Sequence, residues 1–338
     1  MKFHYEFSVS KLKAPITHHQ PVMMIGSCFT ENIGELLKQN RFNVLENPNG
    51  ILFNPASVAD AVDSYIHPMP VNESQLFCLN ETWHSWKHHS RFSGITAAES
   101  VHKINHSVQE ANVFLKKAGY LMITLGSAWV YELSDKAAGD STGKIAANNH
   151  KAPADWFTKR LLSAGETTSL LQKMLDQLMA FNPQLQVIFT ISPVRHLREG
   201  VIENNRSKAV LIQSVHDLVS QQEQCYYFPS YELVIDDLRD YRFYAEDLVH
   251  PNYHATQYVW EKFTDACFAD STRQLLKIIR EINLAYQHKP FNPSTQTHRQ
   301  FLERYFLTAT QLMNEHPELN FNKELQYFKT GIKPPPEN

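Results

Sequence analysis

Two short segments of the sequence carry side chains that together could transfer an acyl group. Ser27 stands in a Gly-Ser-Cys turn, directly after the apolar run Val22–Gly26. Asp247 and His250 are three residues apart, just before Pro251. A serine hydroxyl attacks an ester when a histidine takes its proton and a carboxylate orients that histidine. The residue types therefore predict a serine hydrolase with Ser27 as nucleophile, His250 as base and Asp247 as the orienting group.

Each segment also has an ordinary structural interpretation. A serine before a helix commonly caps it, because its hydroxyl accepts a hydrogen bond from an unpaired backbone N–H. Apolar residues at positions 29, 33, 36 and 37 predict a helix directly after Ser27. The Asp-x-x-His spacing occurs by chance in many chains, as a surface loop with a capping aspartate. The elements that would position the two segments therefore matter.

The apolar pattern predicts that both segments lie at one edge of a parallel sheet. Short apolar runs predict five buried strands, at residues 22–26, 42–45, 119–126, 185–193 and 225–236, the last split at Pro229. Amphipathic patterns predict helices between them, notably at residues 168–181 and 207–221. This alternation predicts a three-layer α/β/α fold with a mostly parallel sheet. Ligands of such sheets bind beyond the carboxyl ends of the strands, where Ser27 and His250 are both expected.

Two stretches break the alternation. Residues 57–118, rich in His, Trp and Asn, are predicted to be a loop-rich insertion beside the active edge, and residues 134–168 look irregular. From residue 271 the pattern is helical and ends in an extended KPPPEN tail. The predicted organisation is a hydrolase domain over residues 1–270 and a C-terminal helical extension over residues 271–338.

Composition excludes several classes of partner. Of 338 residues, 43% are hydrophobic and 20% charged, and the net charge of -3 offers no basic surplus for nucleic acid. No run approaches the ~18 apolar residues of a membrane span. The cysteines form no disulfide pattern and the first twenty residues show no signal sequence, which predicts a cytoplasmic protein. His84, His88 and His89 lack a further ligand for zinc, so no metal or other cofactor is expected.

Longer motifs give a family resemblance. Seven segments between residues 20 and 270 are distinctive: GSCFTENIG, NPNGILFNP, HHSRFS, ITLGSAWVY, NNHK, TISPVRHLREGVIENNRSKA and YFPSYELVIDDLRDYRFYAEDLVHPN. They resemble the GSCFA family, which is grouped with the SGNH hydrolases, whereas the absence of G-x-S-x-G disfavours the α/β-hydrolase variant. The resemblance implies an SGNH-like three-layer fold with a Ser27, His250 and Asp247 triad, and it implies no substrate.

Two positions depart from the family's motifs. Thr30 replaces the alanine of Gly-Ser-Cys-Phe-Ala, a small change beyond the nucleophile. Asn149, in NNHK, stands where the family usually has a cysteine. A catalytic cysteine at that position is therefore excluded for this chain, while Cys28 is interpreted as a small buried hydrophobic residue.

The oxyanion hole is less well defined by the resemblance. SGNH enzymes use the N–H of the nucleophile, a glycine N–H after the second strand and an asparagine side chain after the third. The first two correspond to Ser27 and Gly50, but the third predicted strand is followed by Gly-Ser-Ala-Trp, which has no asparagine. The alternatives for the third donor are the backbone N–H groups of Gly126 and Ser127 and the side chains of Asn54 and Asn148.

The candidate substrate-binding residues are Asn54, Asn148, His150, Arg195 and His196. Arg195 and His196 follow the fourth strand and suit an anionic or hydroxyl-rich group, although a structural pairing of Arg195 with Asp236 or Asp237 is an equal alternative. The aromatic insertion favours a short acyl ester of a carbohydrate or another small molecule. A non-catalytic ligand-binding module and an acyltransferase stay open as alternatives, because fold does not fix function. The oligomeric state is not indicated.

Overall fold

A five-stranded parallel sheet forms the centre of the computed structural model, which describes residues 5–139 and 142–335. Its strands are β1 (Val22–Gly26), β2 (Val44–Glu46), β5 (Tyr120–Leu125), β9 (Gln186–Ile191) and β10 (Cys225–Phe228). They lie in the order β10-β9-β5-β1-β2, and every neighbouring pair is parallel. Strands β1, β5 and β9 are almost entirely buried, which explains their continuous apolar runs.

Helices cover both faces of this sheet. Their bounds are α1 (Cys28–Gln39), α2 (Pro55–Ile66), α3 (Ala97–Leu115), α4 (Ala164–Phe181), α5 (Val201–Gln221) and α7 (Tyr253–Cys267). Met23 and Ile25 of β1 share a core with α2 to α5, whereas Met24 meets Gly34 of α1 on the opposite face. Successive strand residues point to opposite faces, so both layers are needed to bury β1. The predicted three-layer α/β/α fold with a mostly parallel sheet is confirmed.

Residues 57–118 are less irregular than predicted. Their two ends lie in the helices α2 and α3, and irregular structure is confined to residues 67–96, which include the hairpin of β3 (Phe77–Leu79) and β4 (Thr82–His84). The helix α2 has apolar residues at helical spacing, Val58, Ala61, Val62 and Tyr65, all of them buried. The abundant His, Trp and Asn of the segment between the helices obscured this pattern.

Two further segments differ from the predicted elements. Residues 134–168 include β7 (Ile145–Ala146) and β8 (Phe157–Leu161), which pair antiparallel with β6 (Trp129–Leu133) in a second sheet. After β10 the chain turns helical at α6 (Ser230–Glu232) and continues as a π-helix over Leu233–Leu238, where a strand was expected. Pro229 ends the strand because it lacks a backbone N–H for the ladder.

The chain divides into two compact units. The first comprises Met1–Ser10, Pro21–Gly34 and Val44–Phe263, and the second comprises Lys11–Gln20, Glu35–Asn43 and Thr264–Asn338. Every candidate site residue belongs to the first unit.

The second unit has its own apolar core. It is built by the helices α8 (Asp270–Gln287), α9 (Gln296–Glu315) and α10 (Asn322–Thr330), and it includes an ion pair between Arg41 and Glu324 at 2.6 Å. The helical pattern predicted from residue 271 is therefore present. Of the predicted extended tail, residues 336–338 lie outside the described residues. None of the helices within residues 5–139 and 142–335 combines the length and apolar character needed to cross a membrane.

Candidate active site

Ser27 lies at the carboxyl end of β1, where α1 begins. It is only 1% exposed, its N–H donates to the Thr124 carbonyl at 3.3 Å, and its Oγ accepts the Phe29 N–H at 3.3 Å. The preceding Gly26 allows a close approach of the strands, since a Cβ there would lie 2.5 Å from the Thr124 carbonyl oxygen. Ser27 is therefore held by the sheet and also serves as a helix cap.

The loop after β2 borders this end of β1. Asn47 is buried with a left-handed backbone, φ 45°, and its Oδ1 accepts the Gly26 N–H at 2.8 Å. Gly50 follows with φ 82°, where a Cβ would lie 2.1 Å from the Cβ of His89. The Gly50 N–H donates to the Asn47 carbonyl at 2.7 Å. Gly50 is thus in the loop that the sequence predicted, but its N–H already has an acceptor.

Three of the other proposed oxyanion donors already make hydrogen bonds within the protein. The N–H groups of Gly126 and Ser127 donate to the Phe53 carbonyl at 2.8 and 3.2 Å. The Asn54 side chain caps α2, because its Oδ1 accepts the Ser57 N–H at 2.8 Å and its Nδ2 donates to the Ser57 Oγ at 2.9 Å. The backbone N–H groups of Gly126 and Ser127 and one of the two side-chain N–H groups of Asn54 are thus already donated to protein acceptors.

Asn49 lies in the same loop as Asn47 and was not singled out from the sequence. It is 2% exposed, and its side-chain Oδ1 has no hydrogen-bond partner among the described residues. Its backbone carbonyl accepts the His89 N–H at 2.9 Å. Buried polar atoms nearly always have a partner, so the unpartnered amide oxygen beside Gly50 makes Asn49 a candidate site residue. The signal in the sequence is its place within the NPNG motif.

Residues 244–251, here termed the base loop, hold the predicted base. The His250 Nδ1 lies 2.6 Å from the Asp247 Oδ2, and the Asp247 Oδ1 accepts the N–H groups of Val249 and His250 at 2.9 and 3.0 Å. These hydrogen bonds, first those of the two backbone N–H groups and then that of the ring, lower the pKa of Asp247 to about 2. Both side chains are half exposed, 50% for Asp247 and 48% for His250. Within the described residues the His250 Nε2 has no hydrogen-bond partner.

The loop after β9 joins the base loop to the sheet edge. The Arg195 N–H donates to the Val249 carbonyl at 3.3 Å. The His196 ring packs 5.0 Å from the ring of Phe53, and a Cβ on Gly126 would lie 2.8 Å from the His196 Nε2. Burial lowers the pKa of His196 to about 4, so its ring is neutral at physiological pH. His196 therefore fills the space between the base loop and the turn after β5.

Lys208 is a site residue that sequence reasoning missed. It is buried on α5, and its Nζ donates to the carbonyls of Gly126 and Ser192 at 2.7 Å each. It thereby ties together the carboxyl ends of β5 and β9, while burial lowers its pKa to about 7. The available signal was helical spacing, since Lys208 shares the buried face of α5 with Leu211 and Leu218.

The structure brings the predicted triad to one edge of the sheet without joining all of it. The Ser27 Oγ bonds to Phe29 and the His250 ring bonds to Asp247, and no hydrogen bond links Ser27 to His250 within the described residues. The connection between them is indirect: the Arg195 N–H donates to the Val249 carbonyl of the base loop, and the neighbouring His196 contacts the turn after β5. Contact between Ser27 and His250 stays a prediction.

The remaining candidate residues lie in a neighbouring loop. The His150 Nε2 donates to the Ser85 carbonyl at 2.8 Å, and the Asn148 Oδ1 accepts the His150 N–H at 2.8 Å. The Ser90 hydroxyl lies 3.4 Å from the Asn148 Oδ1 and 3.3 Å from the His150 Nδ1. Burial lowers the pKa of His150 to about 4.

The histidines considered for zinc make ordinary hydrogen bonds. His84 bonds to the hydroxyls of Thr82 and Ser93 at 2.7 Å each, and the His88 Nδ1 bonds to the Ser85 hydroxyl at 2.8 Å. Across residues 5–139 and 142–335, no three His, Cys, Asp or Glu side chains are grouped so that they could hold a metal ion.

Comparison with known proteins identifies a family. A model described as "GSCFA family" matches residues 21–263, and one described as "GSCFA domain protein, C-terminal domain" matches residues 279–334. Comparison with curated proteins gives no significant match.

Several solved structures are similar at low identity. A protein of Streptococcus pneumonia described as a candidate platelet activating factor is 11% identical over 74% of this chain and 85% of its own, with a TM-score of 0.39. An acetyl xylan esterase from the rumen bacterium Butyrivibrio proteoclasticus is 10% identical over 79% and 65%, with a TM-score of 0.36. A family 3 carbohydrate esterase from Clostridium thermocellum is 10% identical over 76% and 97%, with a TM-score of 0.35. At these TM-scores the likenesses do not extend to the activity of this chain.

Proposed function

This chain belongs to the GSCFA family, and we propose that it is a serine ester hydrolase with a triad of Ser27, His250 and Asp247. The observation that carries the proposal is the bond of 2.6 Å between the His250 Nδ1 and the Asp247 Oδ2. It fixes the tautomer in which Nε2 keeps a lone pair, and a histidine base needs that tautomer. Ser27 lies at the carboxyl edge of the parallel sheet, where ligands of such folds bind.

The chemistry follows from these roles. As the Ser27 Oγ attacks the ester carbonyl carbon, the His250 Nε2 takes the hydroxyl proton. Asp247 stays ionised because its pKa is about 2, and it stabilises the imidazolium that forms. His250 then protonates the leaving alcohol, which leaves the acyl group on Ser27. A water molecule that His250 deprotonates releases the carboxylic acid and restores the Ser27 hydroxyl.

The developing negative charge on the carbonyl oxygen needs donors already in place. The N–H groups of Gly50, Gly126 and Ser127 are engaged with other carbonyls. We assign the side-chain donor to Asn49 instead. Its amide oxygen has no partner where it lies, so a half-turn of the amide group brings the Nδ2 donor to that position without breaking a hydrogen bond of the oxygen. The Ser27 N–H is the proposed backbone donor, because its present hydrogen bond is long at 3.3 Å and is readily shared.

A second candidate function is a non-catalytic binding module. The observation in its favour is the helix-capping hydrogen bond between the Phe29 N–H and the Ser27 Oγ, together with the lack of one to His250 in the described residues. Under this function Ser27 is structural and the edge of the sheet only binds a ligand. An acyltransferase differs from the hydrolase in its acceptor alone, so adding sugar alcohols to an ester assay distinguishes the two by their products.

The test is hydrolysis of p-nitrophenyl acetate and of an acetylated sugar by the full chain and two variants. Ser27→Ala should lower kcat/KM by at least about 10³-fold, since removing the nucleophile disables the triad as a unit. Its unfolding free energy should fall by only ~1 kcal/mol, the usual worth of a cap. Cys28→Ala is the matched control and should keep its activity. Full activity in Ser27→Ala, or loss in Cys28→Ala, contradicts the proposal.

A further inference from the structure

A cavity of about 520 Å³ lies in the first unit, between the second sheet and the loop after β9. Tyr131 and Phe157 give it two aromatic walls, and the residues 148–151 line another side with two asparagines, His150 and Lys151. Its size falls in the range of small-molecule sites, and it suits a single sugar ring. Aromatic faces and amide groups are the surfaces on which such rings pack and form hydrogen bonds.

The charges in this cavity are not balanced. Among the residues that the structure describes, Glu199 is the one acidic residue of the lining, and its carboxylate already accepts the Tyr131 hydroxyl at 2.6 Å and the Lys159 Nζ at 3.3 Å. Arg198 lies with its guanidinium 5.2 Å from the centre of the Tyr131 ring, and neither it nor Lys151 has a carboxylate partner among the described residues. Among the described residues, Arg198 and Lys151 therefore line the cavity without a carboxylate partner, while the Glu199 carboxylate is bonded to Tyr131 and Lys159.

Both sides of the cavity continue into the proposed active edge. Arg198 lies two residues after His196 in the chain, and the His196 ring packs against Phe53 and the turn after β5. On the other side, the Asn148 Oδ1 lies within hydrogen-bond distance of the Ser90 hydroxyl. Ser90 directly follows His89, which packs against Gly50. A ligand in this cavity is thus flanked by the loop after β9, which contacts the turn after β5, and by residues 148–151, which contact the segment that packs against Gly50.

The backbone at the cavity is also held in an uncommon conformation. His150 and Lys151 have φ values of 48° and 58°, a left-handed region that costs energy for residues other than glycine. Such strain persists where surrounding contacts fix it, and here the hydrogen bond from the His150 Nε2 to the Ser85 carbonyl does so. Lys151, the second of these two residues, lines the cavity.

We propose that this cavity binds the anionic group of the substrate, so that the ester is carried by a sugar bearing a carboxylate or a phosphate. Arg198 and Lys151 bind the anion, and Tyr131 and Asn148 contact the ring. This inference rests on the proposed ester hydrolase for its link to catalysis, but the binding itself does not require the reaction.

The binding test uses glucose, glucuronic acid and glucose 6-phosphate as calorimetric ligands of the full chain. At least one of the two acids should bind about tenfold more tightly than glucose, and the better one identifies the anion. Arg198→Gln and Lys151→Gln should each weaken that binding by about tenfold. Arg280→Gln, an exposed arginine of the second unit, is the matched control and should bind as the parent does. Equal affinity for all three ligands, no binding, or unchanged binding in both cavity variants overturns the inference.

The same three sugars as acetyl esters separate the two proposals. The expected result is hydrolysis that requires Ser27 and favours the acidic sugar that binds best. Hydrolysis that requires Ser27 but shows no preference for charge overturns the cavity assignment alone. Selective binding of an acidic sugar without any hydrolysis dependent on Ser27 overturns the hydrolase and leaves the cavity assignment standing.

Discussion

The nucleophile and its proposed base lie on parts of the molecule that are built in different ways. Ser27 is 1% exposed, at the junction of a central strand and a helix, and hydrogen bonds to Thr124 and Phe29 hold it. The base loop is half exposed, belongs to no long element, and passes through Leu248 with φ 56°. It is held by backbone hydrogen bonds, such as the one from the Ala245 N–H to the His250 carbonyl at 2.8 Å, and by three hydrogen bonds that converge on the Asp247 carboxylate.

Because of this difference, substitutions in the two regions should differ in how they affect the stability and the activity of the protein. Around Ser27, an added side-chain atom disturbs the packing of neighbouring strands, so substitutions that enlarge a side chain there should cost stability. In the base loop few apolar contacts are at stake, so activity should fall while stability changes little. Substitutions in the two regions should therefore give two distinct patterns of effect.

The largest expected effect is loss of the base. His250→Ala should lower kcat/KM for an acetyl ester by about 10³-fold or more, because the members of a triad act as a unit. The unfolding free energy should change by less than about 0.5 kcal/mol, as is usual for exposed positions. Ester kinetics and urea unfolding of the same preparation measure both quantities.

Asp247→Asn should cost the same or less activity, because the amide still orients the ring but favours the wrong tautomer. Activity that survives His250→Ala, or a large loss of stability in that variant, breaks the proposed division of roles.

The next effect concerns the two asparagines near Ser27. Asn49→Ala should lower kcat by about 10²-fold, the usual cost of losing one oxyanion donor. Asn54→Ala is its matched control, because the Asn54 side chain caps α2 through hydrogen bonds of its Oδ1 and its Nδ2 with Ser57. That variant should lose ~1 kcal/mol of stability and little activity. If kcat is the same for Asn49→Ala and the parent chain, Asn49 is not a donor of the oxyanion hole.

A purely structural effect should appear at Gly26. In Gly26→Ala the new Cβ would lie 2.5 Å from the Thr124 carbonyl oxygen, so β1 must shift against β5. The expected loss is ~1–3 kcal/mol of unfolding free energy. Gly165→Ala is the control, since no atom lies within 4 Å of its Cβ position in α4, and it should gain up to ~1 kcal/mol. Thermal or urea unfolding that ranks the two variants the other way contradicts the packing of Gly26.

The last contrast is a difference in response to acid. Burial lowers the pKa values of His88, His150 and His196 to about 3, 4 and 4 from 6.5. Between pH 6.5 and about 4 the unfolded chain takes up protons that the folded chain does not. The unfolding free energy should therefore fall by ~1.4 kcal/mol per pH unit for each histidine.

A single variant separates this response from that of the base loop. His150→Gln should reduce the slope by one histidine's share. Asp247 has a lowered pKa, so its contribution is present above 3.8 and is lost only as the pH falls towards 2. A stability that is flat between pH 6.5 and 4.5 contradicts the neutral buried histidines.

The sequence predicted the central strands because burial on both faces leaves continuous apolar runs. It did not predict the second sheet, since β6 and β8 mix polar and apolar residues along short antiparallel strands. The candidate triad could be named from residue types and spacing. Lys208 and Asn49 were missed: helical spacing and the NPNG motif point to their positions, but the burial of a polar side chain is decided by tertiary contacts.

The most direct test of the account is labelling of the full chain with a fluorophosphonate, followed by mass spectrometry of its peptides. An activated serine attacks the phosphorus and expels fluoride, so the account predicts one phosphonyl group, attached to Ser27. Labelling should be strongly slowed in His250→Ala and remain normal in Cys28→Ala. An unlabelled Ser27 in folded protein, or labelling of Ser27 that does not depend on His250, would contradict the proposed triad and favour the binding module.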